Sequence, residues 1–273
     1  MKTFPCAKIN LGLYVTERRP DGYHNLQTVF YPIPLADELD IDTTSADNDL
    51  LLVEGIQVEG RVEDNLVMRA LHLLRNEGHR IPSLSIRLKK NIPSGAGLGG
   101  GSSDAAFTMK MLNEMFGLGL SDDDMEHRVA RLGADCPFFV RWRPVYATGI
   151  GDLFTPLPLD LTGLHLLLVK PDDFISTREA YQGVCPQQPE HDLRETILRP
   201  VEDWPQLIGN DFERSVFPQH PTVAAIKEQL YRQGALYAAM SGSGSSVFGL
   251  FREAPASSML ETYRPHFVFS APL

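Results

Sequence analysis

Apolar and polar residues alternate through the stretch CAKINLGLYV, residues 6–15. Ile9, Leu11, Leu13 and Val15 fall on one face, and Lys8, Asn10, Gly12 and Tyr14 on the other. A period of two predicts a β-strand with one apolar face and one mixed face. Further strands are predicted over 26–35, 37–43 and 50–58, and in LSIRLKK, HLLLV and HFVFS. In ADELDIDTT, Leu39 and Ile41 alternate with acids, which places the charges on a solvated face.

A period near 3.6 predicts a helix over about 64–77, with Leu66, Ala70, Leu73 and Leu74 as its buried stripe. Asp64 or Asn65 is its cap, and Gly78 lies just past its end. A second helix carries Ala105, Met109, Leu112 and Phe116, and a third starts at SDDD, where Ser121 and Asp124 have capping-box spacing. REAYQGV and PEHDLRETIL read as helical. Pro221 opens another helix, with Ile226 and Leu230 inward and Gly234 after it. YAAMSGSGSSVFGLF reads as strand, glycine turn, strand, followed by a short helix near 255–263. Helices and strands mix without regular βαβ alternation, which favours an α+β fold in two lobes.

The chain has 273 residues, and its formal net charge of -10 argues against a general affinity for nucleic acid. Cys6, Cys136 and Cys185 are odd in number and match no zinc spacing, as expected in a reducing compartment. Lys8 and Asn10 interrupt any signal-peptide core, and LHLLLV is far too short to span a bilayer. A cytoplasmic protein with no membrane partner, monomeric or homodimeric, is expected.

SGAGLGGGSSDAA raises the first chemical question. Five glycines in seven positions, 95–101, carry a large cost in chain entropy. They let backbone N–H groups crowd around a ligand, and the helix that follows adds free N–H groups and a positive dipole end. That combination suits phosphate. A Walker A loop needs a lysine that is missing here. Gly95, Gly97 and Gly100 satisfy GxGxxG, but Lys89, Lys90, Asn91 and Pro93 stand where a dinucleotide fold wants an apolar strand. The plainer alternative, a flexible loop capping a helix, leaves a role for Ser102 or Ser103 only as N-cap.

PSGAGLGGGSSDAA resembles the second motif of the GHMP kinases, the family of galactokinase, homoserine kinase and mevalonate kinase. AKINLGLYV resembles the first motif of that family and MSGSGSSVFGLF the third, in the family's order and across nearly the whole chain. RRPDGYHNLQTVF and GADCPFFV narrow the resemblance to a branch acting on CDP-linked methylerythritol. The resemblance implies a two-lobed fold, with an N-terminal lobe like ribosomal protein S5 and a ferredoxin-like C-terminal lobe. Residues 1–157 would form the ATP-binding lobe with the phosphate loop and catalytic residues, and 158–273 the substrate-binding lobe. It implies ATP-dependent phosphorylation of the substrate's 2-hydroxyl, in the non-mevalonate isoprenoid pathway. The alternatives are another acceptor, homoserine or mevalonate, or a ligand sensor without catalysis.

The resemblance also implies roles. Asp135 would be the base, and Lys8 would hold that carboxylate, the acceptor hydroxyl or the γ-phosphate. Taken singly, Asp135 reads as a helix-end acid and Lys8 as a solubility lysine on an edge strand. Asn10 either orients the acceptor or bonds neighbouring backbone. Tyr23 and His24 would line the substrate groove and meet the cytosine edge, Tyr181 would stack on the base, and Thr177 would touch substrate. The ATP-binding set would be Asn65, Lys90, Pro93, Ser94, Gly95, Ala96, Gly97, Leu98, Gly99, Gly100, Gly101, Ser102 and Ser103. Ser102 or Ser103 would help hold Mg2+. Gly242, Ser243 and Gly244 would turn backbone N–H groups toward phosphate, or simply form a hairpin turn.

Overall fold

A computed structural model describes residues 1–57 and 61–273. Strands β1 (Lys2–Thr3), β2 (Cys6–Arg18), β3 (His24–Ala36), β4 (Glu38–Thr43) and β5 (Leu50–Gly55) come first. Helix α1 (Leu66–Asn76), β6 (Leu84–Lys90), α2 (Gly100–Phe116), α3 (Asp122–Val129) and α4 (Phe138–Arg141) follow. Then come β7 (Val145–Thr148), β8 (Leu153–Pro156), β9 (His165–Lys170), α5 (Thr177–Gln182) and α6 (Leu193–Thr196). The remainder holds α7 (Trp204–Leu207), α8 (Asp211–Val216), α9 (Pro221–Arg232), β10 (Tyr237–Met240), β11 (Val247–Phe251), α10 (Ser257–Glu261) and β12 (Phe267–Pro272). The α+β class expected from the sequence is the one observed. The strand expected over 50–58 stops at Gly55, and its expected last residue lies outside the described residues.

The chain forms two compact units. The first comprises Met1–Lys8, Leu35–Ser94 and Gly99–Arg143, and the second Ile9–Pro34, Gly95–Leu98 and Pro144–Leu273. They are not consecutive stretches: one sheet, ordered β2-β3-β7-β8, joins residues 9–34 to residues 144–157, and the C-terminal half belongs to the same unit.

The first unit is built on a sheet ordered β1-β4-β6-β5. β4 pairs antiparallel with β1 and β6, and β5 lies parallel to β6. Leu39 and Ile41 of β4 are fully buried while Asp42 is exposed, as the alternation predicts. Helix α1 packs on α2. Its buried face is Val67, Met68, Ala70, Leu71, Leu73 and Leu74, so Leu66, expected inward, is only half-buried. Asn65 is its cap, accepting from the Val67 amide at 2.9 Å. The capping box of Ser121 and Asp124 on α3 is present.

The second unit adds a sheet ordered β10-β11-β9-β12, antiparallel in every pairing. Helix α9 packs on β10 and β11. Its inward Val223, Ile226 and Leu230 join Leu167, Val169, Met240 and Val247 in one core. PEHDLRETIL forms a much shorter helix than expected, only the four residues of α6, because Asp192 caps it at the Arg194 amide. Among the described residues no helix is long and apolar enough to cross a membrane.

Candidate active site

The mixed face of β2 is not solvated. Lys8 and Asn10 are 4% and 3% exposed, which removes the reading of Lys8 as a solubility lysine. In the first unit, Lys8 Nζ lies 3.5 Å from Asp135 Oδ2. Burial pulls the Lys8 ammonium below its usual range, and Asp135 opposes that pull. A desolvated ammonium keeps its charge only beside an anion. Asp135 is only partly buried, so its carboxylate stays open to an incoming group. The sequence places Asp135 in the turn after α3, and the short α4 that follows packs back on α2.

Gly99 caps α2 in the left-handed region, φ +70, where a side chain is strained. A Cβ there would also come within 2.7 Å of the Phe139 ring and 3.3 Å of Lys8 Cε. Glycine therefore brings the α2 amino end close to the Lys8 stem. Of the two serines that follow, Ser103 is fully buried and donates to the Cys6 carbonyl at 2.7 Å. Ser102 is half-buried beside Cys136, whose thiol burial pushes up to about 11.

A pocket of about 360 Å³ in the same unit is lined by Asn65, Leu66, Lys90, Ser94, Gly101 and Asp104, among others. Four of the expected ATP-binding residues thus meet there. Lys90 is 3% exposed and pairs with Asp104 at 2.6 Å and with Asp37. Burial works to lower the Lys90 ammonium, but the two carboxylates outweigh it and hold it raised. Burial pushes the Asp104 carboxyl up to about 7 against the pull of Lys90. Asp37, which sequence reasoning missed, is fully buried and also accepts from the amides of Asn91 and Ile92. It fixes the chain as β6 leads into the glycine loop. In the sequence it reads as one more acid of an acidic strand.

The second unit holds the rest. Asn10 donates its backbone N–H to Ser241 Oγ at 3.2 Å, and Ser241 Oγ donates to the Gly97 carbonyl at 2.9 Å. The Asn10 side-chain amide donates to Thr28 Oγ1 at 2.9 Å, which braces it within the sheet. A Cβ on Gly97 would stand 2.0 Å from the Ser241 carbonyl oxygen, so only glycine fits that approach. The first polar strand, the glycine loop and the third glycine motif therefore converge. Ala96 and Leu98 are buried and Gly95 exposed, while Pro93 and Ser94 of the first unit are buried and exposed.

In the third motif, Gly242 and Gly244 are buried and Ser243 half-buried. The neighbouring hydroxyls are structural: Ser241 reaches Gly97, and Ser245 donates to the Asp173 carbonyl at 2.6 Å. Asn210, another residue missed, donates to the carbonyls of Met240 and Gly242 at 2.8 Å each. Its Gly-Asn-Asp context looks like any helix cap, so no sequence signal marked it.

His24 and Tyr181 stack with ring centroids 4.8 Å apart and planes 22° apart, and Tyr181 meets Phe212 edge-on. Burial, aided by Arg18, keeps the His24 imidazole below the usual range, so it offers one donor and one acceptor near neutral pH. Tyr23 is 61% exposed and Thr177 lies exposed at the start of α5. Among the described residues no three or more His, Cys, Asp or Glu side chains converge as a metal cage.

Residues 65–141 match the family model for the GHMP kinases N terminal domain, and residues 194–267 that for the GHMP kinases C terminal. The chain belongs to the GHMP kinases, and by that membership it is an ATP-dependent small-molecule kinase. Within the family it is 56% identical to the 4-diphosphocytidyl-2-C-methyl-D-erythritol kinase of Bacteroides thetaiotaomicron, over 96% of this chain and 95% of that one. A crystal structure of 4-(cytidine 5'-diphospho)-2C-methyl-D-erythritol kinase matches with a TM-score of 0.83 at 31% identity, covering 99% of this chain and 98% of that one. The mevalonate kinase of Methanococcus jannaschii shares the fold, with a TM-score of 0.72 at 14% identity over 99% of this chain and 97% of that one.

Proposed function

We propose that this chain transfers the γ-phosphoryl group of ATP to the 2-hydroxyl of 4-diphosphocytidyl-2-C-methyl-D-erythritol, in the cytoplasm and in the non-mevalonate isoprenoid pathway. The observation that carries a kinase site is the Lys8–Asp135 pair, a buried ammonium beside a partly open carboxylate. Phosphoryl transfer asks a protein for positioning and charge stabilisation rather than covalent help. Asp135 takes the acceptor proton, a role worth about 10²–10⁴-fold in rate. Lys8 holds that carboxylate in place and favours negative charge building on the oxygens nearby.

ATP binding and the catalytic pair are assigned to residues 1–157, and the main share of acceptor binding to 158–273. Asn65, Lys90, Ser94 and Gly101 line the nucleotide pocket, and the glycines from 95 to 101 with the α2 amino end take phosphate. His24 and Tyr181 supply the cytosine-recognising surface, with Tyr23 and Thr177 at its rim. The motif of Gly242, Ser243 and Gly244 offers amides to a diphosphate. Mg2+ usually takes one or two protein oxygens and completes its shell with phosphate and water. Ser103 is committed to Cys6, which leaves Ser102 as the hydroxyl to reach the ion. When bound, the ion would neutralise phosphate charge.

The identity with a named relative at 56% favours this acceptor over homoserine or mevalonate. The test is product analysis. After incubation with ATP, phosphorus NMR is expected to find a new phosphomonoester on the tertiary carbon of the CDP substrate. A phosphate on any other hydroxyl would overturn the assignment.

A further inference from the structure

His220 immediately precedes α9 and is half-buried. Its Nδ1 lies 3.1 Å from Asp173 Oδ1 and its Nε2 2.9 Å from Glu179 Oε1. Both partners are carboxylates, which only accept. A neutral imidazole has one N–H and one lone pair, so it would face one carboxylate with the wrong atom. Only the imidazolium donates to both.

The two carboxylates belong to segments that serve the acceptor site. Glu179 is on α5, two residues before Tyr181, and its own amide is held by the Ser176 cap. The backbone carbonyl of Asp173 accepts from Ser245, beside the third glycine motif. The next residue, Phe174, puts its ring 3.2 Å from where a Gly95 Cβ would stand. His220 itself sits on a firm base: its amide donates to Val216, Pro221 follows it, and α9 packs on β10 and β11. It therefore joins α9 to α5 and to the 173–174 turn.

We propose that His220 is a positioning residue for acceptor binding: as an imidazolium bridging Asp173 and Glu179, it fixes α5 and Tyr181 relative to the third glycine motif, so that affinity for the cytidine diphosphate end of the substrate depends on its proton. This rests on the assignment of that substrate above. Without the cation, two carboxylates face each other, and α5 loses its tie to α9.

The electrostatics agree. The hydrogen bond from Glu179 holds His220 above the ordinary histidine range, burial opposes this, and Asp173 adds to it. Lys170 lies nearby and donates to the Asp173 carbonyl, at 3.5 Å, rather than to its carboxylate. The positive end of α9 works the other way. A raised value means that the clamp is complete below about pH 6.5 and is lost as pH rises through the folded-state value. His24 does not mimic this, because its value is lowered and it is already neutral where His220 titrates.

The test is calorimetric titration of the full chain with CDP at pH 6, 7 and 8.5, for the wild type, His220→Gln and His220→Lys. The wild type is expected to bind about tenfold more weakly at pH 8.5 than at pH 6, within the usual range of coupling. His220→Gln is expected to bind weakly at pH 6 and to lose the wild type's fall in affinity between pH 6 and 8.5, leaving only the change that CDP's own terminal phosphate brings. His220→Lys, which keeps a cation, is expected to restore binding with that same residual change alone. In turnover, KM for the acceptor rises in His220→Gln while kcat holds. A His220→Gln profile parallel to the wild type, or a fall in kcat with KM unchanged, would overturn the proposal. If the variants do not fold, NMR titration of the wild-type His220 ring decides: CDP must raise its pKa, and an unchanged value overturns the proposal. Wild-type binding with a flat pH profile removes this inference alone, whereas no CDP binding at any pH removes the substrate assignment and the inference with it.

Discussion

Ser241 donates its hydroxyl proton to the carbonyl of Gly97, 144 residues away in the chain, at 2.9 Å. The same oxygen accepts from the Asn10 amide, 231 residues away. One small side chain thus ties together the three segments that carry the family's motifs. Gly97→Ala sets a methyl 2.0 Å from the Ser241 carbonyl at φ +74. It is expected to cost at least the 1–3 kcal/mol typical of such strain and to raise KM for ATP. Ser241→Ala loses two hydrogen bonds, each worth about 1 kcal/mol. Thermal unfolding and ATP kinetics check both, and a silent Gly97→Ala would contradict the close approach.

Lys8 and Asp135 form the proposed catalytic pair. Asp135→Ala and Lys8→Ala are each expected to lower kcat by at least about 10²-fold while ATP still binds. Lys8→Ala also leaves a partly open carboxylate without its cation, which solvent tolerates, so the fold should survive. Single-turnover kinetics with ATP-binding controls check this. Full activity in either variant removes that residue's role.

Asp37 gathers a buried ammonium and two backbone amides. Asp37→Ala strands the two amides and leaves Lys90 with Asp104 alone, and is expected to cost about 3–5 kcal/mol, as for breaking a buried ion pair from one side. Glu38, the next residue, is the contrast. It is solvated, and the hydrogen bonds from Lys2 and Lys89 lower its carboxyl to about 2. A depressed value stabilises above the unfolded range near 4.5 and fades as pH falls toward 2. Glu38→Gln should therefore differ most from wild type above about pH 4.5, progressively less down to about pH 2, and less in high salt. Urea unfolding across pH checks both, and equal effects at the two positions would contradict the burial argument.

Tyr181 presents its ring to His24 at 4.8 Å. Tyr181→Ala is expected to weaken acceptor binding by about 1–3 kcal/mol, the usual worth of base stacking, with little change for ATP. Tyr181→Phe keeps the ring and should retain binding. Loss of ATP affinity instead would assign Tyr181 to the fold alone.

Much of the site was legible in the sequence because its chemistry is local. Glycine at 95, 97 and 99 is needed for backbone in the left-handed region, and that demand is written into the chain. Lys8 and Asn10 were legible as neighbours on one strand face, though not their burial, which comes from packing the pattern does not encode. Asp37, Thr28 and Asn210 were not legible. Each is a common residue whose role exists only once distant backbone reaches it. The short strands β7 and β8 lack a run long enough to show a period. Gly12 on the mixed face of β2 is where Ile208 and Leu193 pack close to the strand, a contact the alternation alone does not reveal.

The central claim is the acceptor. A coupled assay for ADP release, run with ATP and in turn with 4-diphosphocytidyl-2-C-methyl-D-erythritol, homoserine and mevalonate, tests it most directly. Sustained turnover with the CDP-linked alcohol, abolished by Asp135→Ala, and none with the other two is the predicted result. Turnover of homoserine or mevalonate without the CDP-linked alcohol, or ATP binding with no turnover of any of them, would contradict it.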